Sequence, residues 1–379
     1  MRILHIITSL NTGGAETLVV NLIPRFQALG HEIGVVVFNG QRTALMERLE
    51  QECPDCKIYK LGTSYYNPIY ILKLMRIMKQ YDIVHTHNSS PQLFAAVAAK
   101  MLCTVTLVTT EHNTSNRRRN WKWYPRWIDR WMYNQYSKVI CISDQAEKNL
   151  RAFIGPCKAD ITTIYNGVDV DAFHLAKDNP ALRNGSNRFV IVMVAGFRPQ
   201  KDQDTLIKAM SHLNKDMYEL WLVGDGERRG DLELLAKNLN LKGNVKFWGL
   251  RTDIPEILHT SDIVVMSSHY EGLSLSNIEG MSVGKPFIAS NVDGLREMTQ
   301  GAGLLFPHED TKSLVNLIQK LYDDKDLYKK IADSCYEKAK LFDIKITAES
   351  YHKIYENLKK QNDEDHSCHY RAYYAGCVL

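Results

Sequence analysis

Residues 267–284 read S-S-H-Y-E-G-L-S-L-S-N-I-E-G-M-S-V-G. They follow the apolar run at residues 262–266, which predicts a buried parallel strand, and they end at the helix-stopping sequence Gly284-Lys285-Pro286. The run therefore predicts a strand, a loop and the start of a helix. In an open α/β sheet, ligands bind at this point, beyond the carboxyl ends of the strands.

Two carboxylates and a row of backbone donors characterise this run. Glu271 lies in the loop, and Glu279 lies about two turns into the predicted helix. The N–H groups between them have no partner within the helix and belong to Ser274, Leu275, Ser276 and Asn277. These donors and the helix dipole favour an anion. A ligand with hydroxyl groups at both ends and phosphate in the middle fits, such as a nucleoside diphosphate sugar. The alternative is that Glu271 and Glu279 are ordinary solvent-exposed acidic residues near the start of a helix and bind no ligand.

Length and composition narrow the class of protein. The chain has 379 residues, of which 45% are hydrophobic and 24% charged, and this suits two globular domains. The net charge of +4 is modest, and the excess of basic residues lies in the N-terminal half. No run approaches the ~20 apolar residues of a membrane span, and the apolar start is too short for a signal peptide. Eight cysteines in such a chain predict reduced thiols and a cytoplasmic location.

Residues 1–170 are predicted to form a first α/β domain. A strand at residues 2–8 is followed by a helix that starts near Gly13 and Gly14 and ends near residue 29. Glycines at a helix start allow a phosphate or a sugar to approach the backbone. The G-x-G-x-x-G pattern of nicotinamide enzymes is absent, and a plain tight turn is the alternative.

Histidines lie at the ends of two predicted strands of this domain. His85 and His87 end one strand, and His112 follows another. Polar residues at the carboxyl ends of parallel strands face the ligand site. We predict that His112 is a catalytic residue, because Glu111 and Asn113 place it in polar surroundings. We expect His87 to line the site and His85 to be packed.

Residues 116–131 have an unusual composition, with five Arg, one Lys and four Trp. Such a segment suits an anionic, amphipathic surface, and we predict contact with a membrane surface or a lipid-linked acceptor. The residues assigned to this side are Arg117, Arg118, Arg119, Trp121, Trp123 and Trp127. Two alternatives remain: Trp127 and Trp131 bury one helix face, or the segment binds nucleic acid. We do not expect nucleic acid as a partner.

Residues 171–188 are predicted to be a linker, and residues 189–342 a second α/β domain. The first strand of this domain ends in a glycine corner with Arg198 and Lys201 three residues apart, just before a helix. The planar guanidinium of Arg198 and the ammonium group of Lys201 at this position predict a phosphate site. The alternative is a solvent-exposed turn without a ligand. An amphipathic helix at residues 343–360 follows, and residues 361–379 are expected to be a disordered tail.

The ordered motifs of the chain resemble a known family. These motifs are Asn11-Thr-Gly-Gly-Ala-Glu16, Asn166-Gly-Val-Asp169, Gly196-x-Arg198-x-x-Lys201, Gly224-Asp-Gly226, Glu271-x₇-Glu279 and Gly284-x-Pro286. In this order they are similar to the retaining glycosyltransferases of family four, and the resemblance extends to about residue 358. Within this family, the motifs are most similar to those of enzymes of bacterial exopolysaccharide, capsule or lipid-linked oligosaccharide assembly.

The resemblance implies a fold and roles for individual residues. The fold would be GT-B, with two Rossmann-like domains facing across a cleft and the last helix crossing back to the first domain. Glu279 would hold the ribose of the donor, Arg198 and Lys201 its diphosphate, and Glu271 the hydroxyls of its sugar. His112 would face the sugar. The remaining donor-binding positions would be Gly13, Gly14, Gly224, Ser274, Leu275 and Ser276. The chain departs from the family's motif at two places, Leu273-Ser274 and Gly280. These departures would affect the choice of sugar.

The expected reaction moves a sugar from a nucleotide diphosphate sugar, by family habit a UDP-sugar, to a hydroxyl of a glycan or lipid-linked acceptor. Cationic side chains and the helix start stabilise the leaving diphosphate, so neither a metal nor another cofactor is expected. No carboxylate is evident as a nucleophile for double displacement, which favours attack of the acceptor on the same face. The enzyme is expected in the cytoplasm, peripheral to the membrane. A 2-epimerase, a phosphorylase and a non-catalytic sugar- or membrane-binding module are the alternatives.

Overall fold

The computed structural model describes residues 1–11, 13–102, 105–112, 126–272 and 275–375, with side chains up to residue 364. The chain divides into two compact units. The first comprises Met1–Asn166 and Ile344–Leu379, and the second comprises Gly167–Asp343. Each unit contains a parallel β-sheet and its covering helices, which confirms the predicted class of two Rossmann-like α/β domains.

Within the described residues, the sheet of the first unit has seven strands. They are β1 (Arg2–Ile7), β2 (Glu32–Asn39), β3 (Lys57–Gly62), β4 (Ile83–His87), β5 (Thr106–Glu111), β6 (Lys138–Cys141) and β7 (Asp160–Thr163). The helices of this unit are α1 (Gly14–Ala28), α2 (Ala44–Glu52), α3 (Ile69–Met78), α4 (Ser89–Leu102), α5 (Arg126–Tyr133), α6 (Asp144–Ile154) and α16 (Ile344–Ala375).

The second unit repeats the arrangement with six strands in the described part of the chain. These are β8 (Phe189–Val194), β9 (Tyr218–Val223), β10 (Val245–Gly249), β11 (Ile263–Met266), β12 (Phe287–Ser290) and β13 (Leu304–Phe306). Its helices are α7 (Val170–His174), α8 (Pro180–Arg183), α9 (Gln203–Met210), α10 (Arg229–Asn238), α11 (Ile254–Thr260), α12 (Leu275–Ser282), α13 (Leu295–Thr299), α14 (Thr311–Asp323) and α15 (Lys325–Lys340).

Both sheets have the strand order of a doubly wound fold. The orders are β3-β2-β1-β4-β5-β6-β7 and β10-β9-β8-β11-β12-β13, and the strands pair in parallel. The chain therefore reverses direction across the sheet between β1 and β4 and between β8 and β11. Loops that leave the carboxyl ends of the two strands at such a switch point splay apart and leave room for a ligand.

The strands form where apolar residues run continuously, because both faces of each sheet are covered. In β1, Leu4 and Ile6 pack into one buried cluster, whereas Ile3 and Ile7 pack into the cluster on the opposite face. The second cluster also takes the buried face of α16, formed by Ile344, Ala348, Tyr351 and Tyr355. The prediction that the last helix returns to the first domain is therefore confirmed.

The structure differs from the sequence-based expectations in two segments. Residues 171–188 contain most of α7 and all of α8 and belong to the second unit, where Arg183 Nη2 donates to Thr260 O at 2.7 Å. Helix α16 continues to Ala375, so the expected disordered tail is helical from residue 361 to that point. Among the described residues, no helix has both the length and the apolar composition to cross a bilayer.

Candidate functional site

The loops after β8 and β11 meet at the switch point of the second sheet. The β8 loop forms a short 3₁₀ turn, Pro199–Lys201, and Lys201 Nζ lies 2.5 Å from Glu271 Oε1. Ser268 Oγ donates to the same carboxylate oxygen at 2.6 Å. Glu271 is almost fully buried, with 5% of its side chain exposed. The structure thus joins two predicted site residues in one ion pair and adds Ser268, which the sequence did not single out.

Arg198 precedes this turn and offers a free positive charge. Its side chain is exposed and forms no ion pair with the described residues. The backbone of its loop is held by the loop after β9, because Phe197 N donates to Asp225 O at 3.0 Å. Gly224 makes this approach possible: its φ is +137°, and a Cβ there would lie 2.1 Å from Ala195 O. Gly224 therefore supports the loop that carries Arg198.

Helix α12 is described from Leu275, four residues after Glu271, so Glu279 lies about one turn along it and not the two turns expected. Leu275 and Ser276 form its first turn and are partly exposed, and Ser274 lies outside the described residues. Glu279 is partly exposed and has no hydrogen-bond or ion-pair partner in the described part of the chain. Removal of its carboxyl from water raises its pKa to about 7. A group that donates hydrogen bonds to Glu279 would therefore favour its ionised form.

Two glycines fix the surroundings of these carboxylates. Gly294, with φ +85°, lies directly under Glu271, because a Cβ there would be 2.1 Å from Glu271 O. A Cβ on Gly280 would lie 2.8 Å from Val264 Cγ1 and 2.9 Å from Phe287 Cε2. The departure at Gly280 is therefore explained by the close packing of α12 on the sheet.

In the first unit, Gly13 and Gly14 mark the start of α1, and Gly13 is its N-cap residue. Glu16 in the first turn accepts a hydrogen bond from Asn88 Nδ2 at 3.3 Å, and burial raises its pKa. Asn88 follows β4 directly, so this contact joins the first turn of α1 to the loop after β4 at the first switch point.

His112 belongs to a row of three imidazoles. Its Nε2 lies 2.9 Å from His87 Nδ1, and His87 Nε2 lies 3.0 Å from His5 Nδ1. Burial lowers the pKa of His112 to about 4 and that of His5 to about 3, so the row is neutral near pH 7. Each neutral ring carries one proton, so the tautomer of one ring fixes the others. His112 Nδ1 is buried and has no hydrogen-bond partner among the described residues.

The structure changes part of the expectation for these histidines. His87 is fully buried beneath His112 and does not line the site. His85 is packed, as expected, between Tyr355 Oη at 2.5 Å and Thr110 Oγ1 at 2.8 Å. The carboxylate of Glu111 accepts hydrogen bonds from Gln92 and Tyr133, and its charge only partly offsets the effect of burial on the pKa of His112. His5 was not predicted, since nothing in an apolar strand distinguishes a functional from a packed histidine.

Most of the basic, tryptophan-rich segment lies outside the described residues. This applies to Arg117, Arg118, Arg119, Trp121 and Trp123. Trp127 is described in α5 and is 69% exposed, whereas Asp129, Met132 and Tyr133 form the buried face of that helix. Trp127 therefore packs little against the described residues of the unit, and Trp131 is partly buried.

Two family models and several known proteins match the chain. Residues 12–172 match the model described as glycosyltransferase family 4, and residues 176–340 match that of glycosyl transferases group 1. An Escherichia coli protein named UDP-Gal:alpha-D-GlcNAc-diphosphoundecaprenol alpha-1,3-galactosyltransferase is 30% identical over 294 residues, which are 72% of this chain and 74% of that protein. The N-acetyl-alpha-D-glucosaminyl L-malate synthase of Bacillus anthracis is 25% identical over 86% of this chain and 89% of its own.

Solved structures show the same fold. The Anabaena protein HepE in complex with UDP is 23% identical and has a TM-score of 0.79, covering 95% of this chain and 100% of its own. A glycosyltransferase of Rickettsia africae has the same TM-score at 22% identity, covering 94% of this chain and 98% of its own. The fold is thus that of the GT-B class. With the sequence matches, the chain belongs to glycosyltransferase family four.

Proposed function

We propose that the enzyme transfers a sugar from a UDP-sugar to a hydroxyl of a glycan or lipid-linked acceptor, with retention of anomeric configuration. The observation that carries the proposal is the arrangement at the second switch point, where the Lys201–Glu271 pair, the unpaired Arg198 and the start of α12 come from adjoining loops. The E. coli relative is named for UDP-Gal and a diphosphoundecaprenol acceptor, and the HepE structure contains UDP.

The charges of these loops suit the parts of a nucleotide sugar. Arg198 and Lys201, with the N–H groups at the start of α12, would bind the diphosphate, because they supply positive charge and donors. Glu271 would accept hydrogen bonds from hydroxyls of the donor sugar. Glu279 would accept hydrogen bonds from the ribose hydroxyls, since its carboxylate lacks another partner. Oxygen atoms of the ligand would therefore form the hydrogen bonds that these side chains and backbone N–H groups do not make within the described part of the second unit.

The same contacts would lower the barrier to transfer. The bond between the anomeric carbon and the diphosphate oxygen breaks, and its electron pair leaves as negative charge on UDP. Arg198 and Lys201 stabilise this charge where it develops. Lys201 and Ser268 hold Glu271, so it is poorly placed to act as a nucleophile. The acceptor oxygen would bond to the anomeric carbon on the face that UDP leaves, and its proton would pass to a diphosphate oxygen.

The first unit would contribute the acceptor side of the reaction. His112 would offer a neutral donor or acceptor for a sugar hydroxyl, because its Nδ1 is buried and lacks a partner among the described residues. Gly14 leaves open space at the start of α1, since a Cβ there would meet no atom within 4 Å, whereas Gly13 lies against the carboxylate of Glu16. Trp127 exposes its indole beside Arg126, and we propose that this face of α5 contacts a membrane that carries the lipid-linked acceptor.

A cytoplasmic location, peripheral to the membrane, is part of the proposal. The described cysteines without a disulfide bond support it, since reduced thiols are typical of that compartment. These cysteines are Cys53, Cys56, Cys141, Cys157 and Cys335.

Turnover of the purified protein tests the proposal. UDP release is measured with a panel of UDP-sugars and a diphosphate-lipid-linked N-acetylglucosamine acceptor, and the anomeric configuration of the product is assigned by NMR. We expect Arg198→Ala to lower kcat about 10²- to 10³-fold, because one cation is lost from the leaving group. Lys242→Ala, an exposed lysine of the same unit, is the matched control and should leave kcat unchanged.

Other results would lead to different conclusions. An inverted product contradicts retention, and full activity of Arg198→Ala contradicts the diphosphate assignment. Conversion of a UDP-sugar without an acceptor would indicate a 2-epimerase. Binding of UDP without any turnover would indicate a non-catalytic module.

A further inference from the structure

A second group of polar side chains lies on three loops of the second unit, beside the proposed donor site. Asp202 follows the turn that carries Lys201, His269 follows β11, and His308 and Glu309 follow β13. The atoms with which they could bind a metal all lie within 4.8 Å of one another. None of these four residues belongs to a motif of the sequence that predicts a metal site, and the proposed reaction does not use them.

We propose that Asp202, His269, His308 and Glu309 bind one divalent transition-metal ion of the zinc class. Two imidazole nitrogens and two carboxylate oxygens form the mixed donor set that zinc accepts in tetrahedral sites. Calcium and magnesium prefer oxygen donors alone. This site differs from the expectation, drawn from the sequence, that the chain holds no metal.

The separations of the donor atoms suit such an ion. Metal–ligand bonds of about 2.0–2.2 Å in a tetrahedron place the donor atoms ~3.4 Å apart. His269 Nδ1 lies 2.6 Å from His308 Nε2, 3.7 Å from Glu309 Oε1 and 3.9 Å from Asp202 Oδ2. These distances lie on both sides of the ideal separation, so movements below ~1 Å would adjust them. The two imidazole planes are inclined at 83°, so the rings are not stacked face to face.

Asp202 supplies an independent indication of a cation. It is 4% exposed, and its Oδ2 has no hydrogen-bond partner among the described residues. Its other oxygen, Oδ1, accepts from Thr205 N at 3.3 Å as the N-cap of α9, so the side chain cannot turn away freely. A buried polar atom without a partner is unfavourable. A cation between Oδ2 and His269 would satisfy it.

A second histidine group, in the first unit, does not meet the same criteria. His5, His85 and His87 are close together, but their rings are stacked, with interplanar angles of 18° for His5–His87 and 23° for His85–His87. Rings that lie nearly parallel cannot direct three lone pairs to one point. His85 also uses both nitrogens in hydrogen bonds to Tyr355 and Thr110. The metal site is therefore assigned to the second unit.

The position of the site suggests what the ion does. Asp202 is adjacent to Lys201, and His269 lies two residues before Glu271. His269 N already donates to Gln200 O at 2.8 Å, so the two loops are in contact. A metal ion would cross-link them to the loop after β13 and fix the backbone on which the Lys201–Glu271 pair depends. Its role would be to position these loops.

Calorimetric titration of the metal-stripped full chain with Zn²⁺ tests the proposal, with Co²⁺ absorption in the visible range as a second readout. We expect one site with a tetrahedral Co²⁺ spectrum. His308→Ala should weaken binding at least about tenfold, because loss of a supporting group alone costs 10–100-fold. His212→Ala, an exposed histidine of the same unit, is the control and should bind as the parent does. His308 is exposed, so its replacement should leave the fold intact.

Asp202→Asn is the second variant, because the amide retains Oδ1 as a helix cap and removes only the charge. It should also weaken Zn²⁺ binding. Absence of a saturable site in the parent would overturn the proposal, as would unchanged affinity in both variants. In that case the two histidines merely share a hydrogen bond. The titration contains no nucleotide, so its failure is distinguishable from failure of the proposed transferase activity.

Discussion

The carboxyl of Glu279 predicts a specific dependence of ligand affinity on pH. Its pKa is raised to about 7 by removal from water. If the ribose hydroxyls donate to it, uridine and UDP bind the ionised form more tightly than the protonated form. Ligand binding then lowers this pKa and releases a proton. The affinity should therefore rise as the pH is raised through 7 and level off above it.

The size of the effect follows from the fraction of Glu279 that is ionised. With a pKa of about 7, roughly one carboxyl in eleven is ionised at pH 6 and roughly ten in eleven at pH 8. A ligand that binds only the ionised form loses about tenfold in affinity between pH 8 and pH 6, which is ~1.4 kcal/mol. Residual binding to the protonated form would make the change smaller, so tenfold is the upper bound.

Isothermal titration of uridine between pH 6 and pH 8 measures this change directly. Uridine is preferred to UDP because the terminal phosphate of UDP titrates near pH 6 and would add its own pH dependence. Repeating the titration in buffers of different ionisation enthalpy counts the protons released. Glu279→Gln cannot ionise and should bind more weakly, with no pH dependence in this range. An affinity independent of pH in the parent, or an equal pH dependence in Glu279→Gln, would refute the reasoning.

Two further changes test the packing of α12 and the membrane-facing surface. Gly280→Ala should destabilise the second unit by about 1–3 kcal/mol, because its Cβ would lie 2.8 Å from Val264 Cγ1. This corresponds to roughly 2–4 °C of Tm for each kcal/mol; the control Gly230→Ala has no atom within 4 Å and should not be destabilising. Trp127→Ala should weaken sedimentation of the protein with anionic vesicles at low salt, whereas Leu250→Ala, at a position that is also largely exposed but lies on the other unit, should not. Equal stability of the two glycine variants, or equal vesicle binding of the other two, would contradict these assignments.

The sequence predicts the individual strands and helices of this fold better than it predicts which of them are adjacent in space. Apolar runs locate β8 and β11, and Gly284-Lys285-Pro286 locates the end of α12, because each signal is local. The pairing of Lys201 with Glu271 depends on which strands are adjacent, and 70 residues separate these side chains. No local pattern specifies that adjacency.

Errors in the prediction have a similar origin. Residues 171–188 carry turn-forming sequences, yet Arg183 joins them to α11 through hydrogen bonds that no periodicity signals. His87 was expected to line the site, because it ends a strand. It is buried because the rings of His5 and His85 stack against it and His112 packs against it at a tilt. The burial of a polar side chain depends on the residues that cover it, which are remote in sequence.

The two switch points are alike in topology but differ in charge, and this difference supports separate roles for the two units. In the second unit, the loop after the first strand carries Arg198 and Lys201, which suit a diphosphate. In the first unit, the corresponding edge offers Gly13, Gly14 and His112, whose imidazole stays neutral because burial lowers its pKa to about 4. A neutral imidazole, which can donate one hydrogen bond and accept another, suits an uncharged hydroxyl far better than an anionic phosphate. We therefore infer that the charged half of the donor binds the second unit, and that the first unit handles uncharged sugar or acceptor groups.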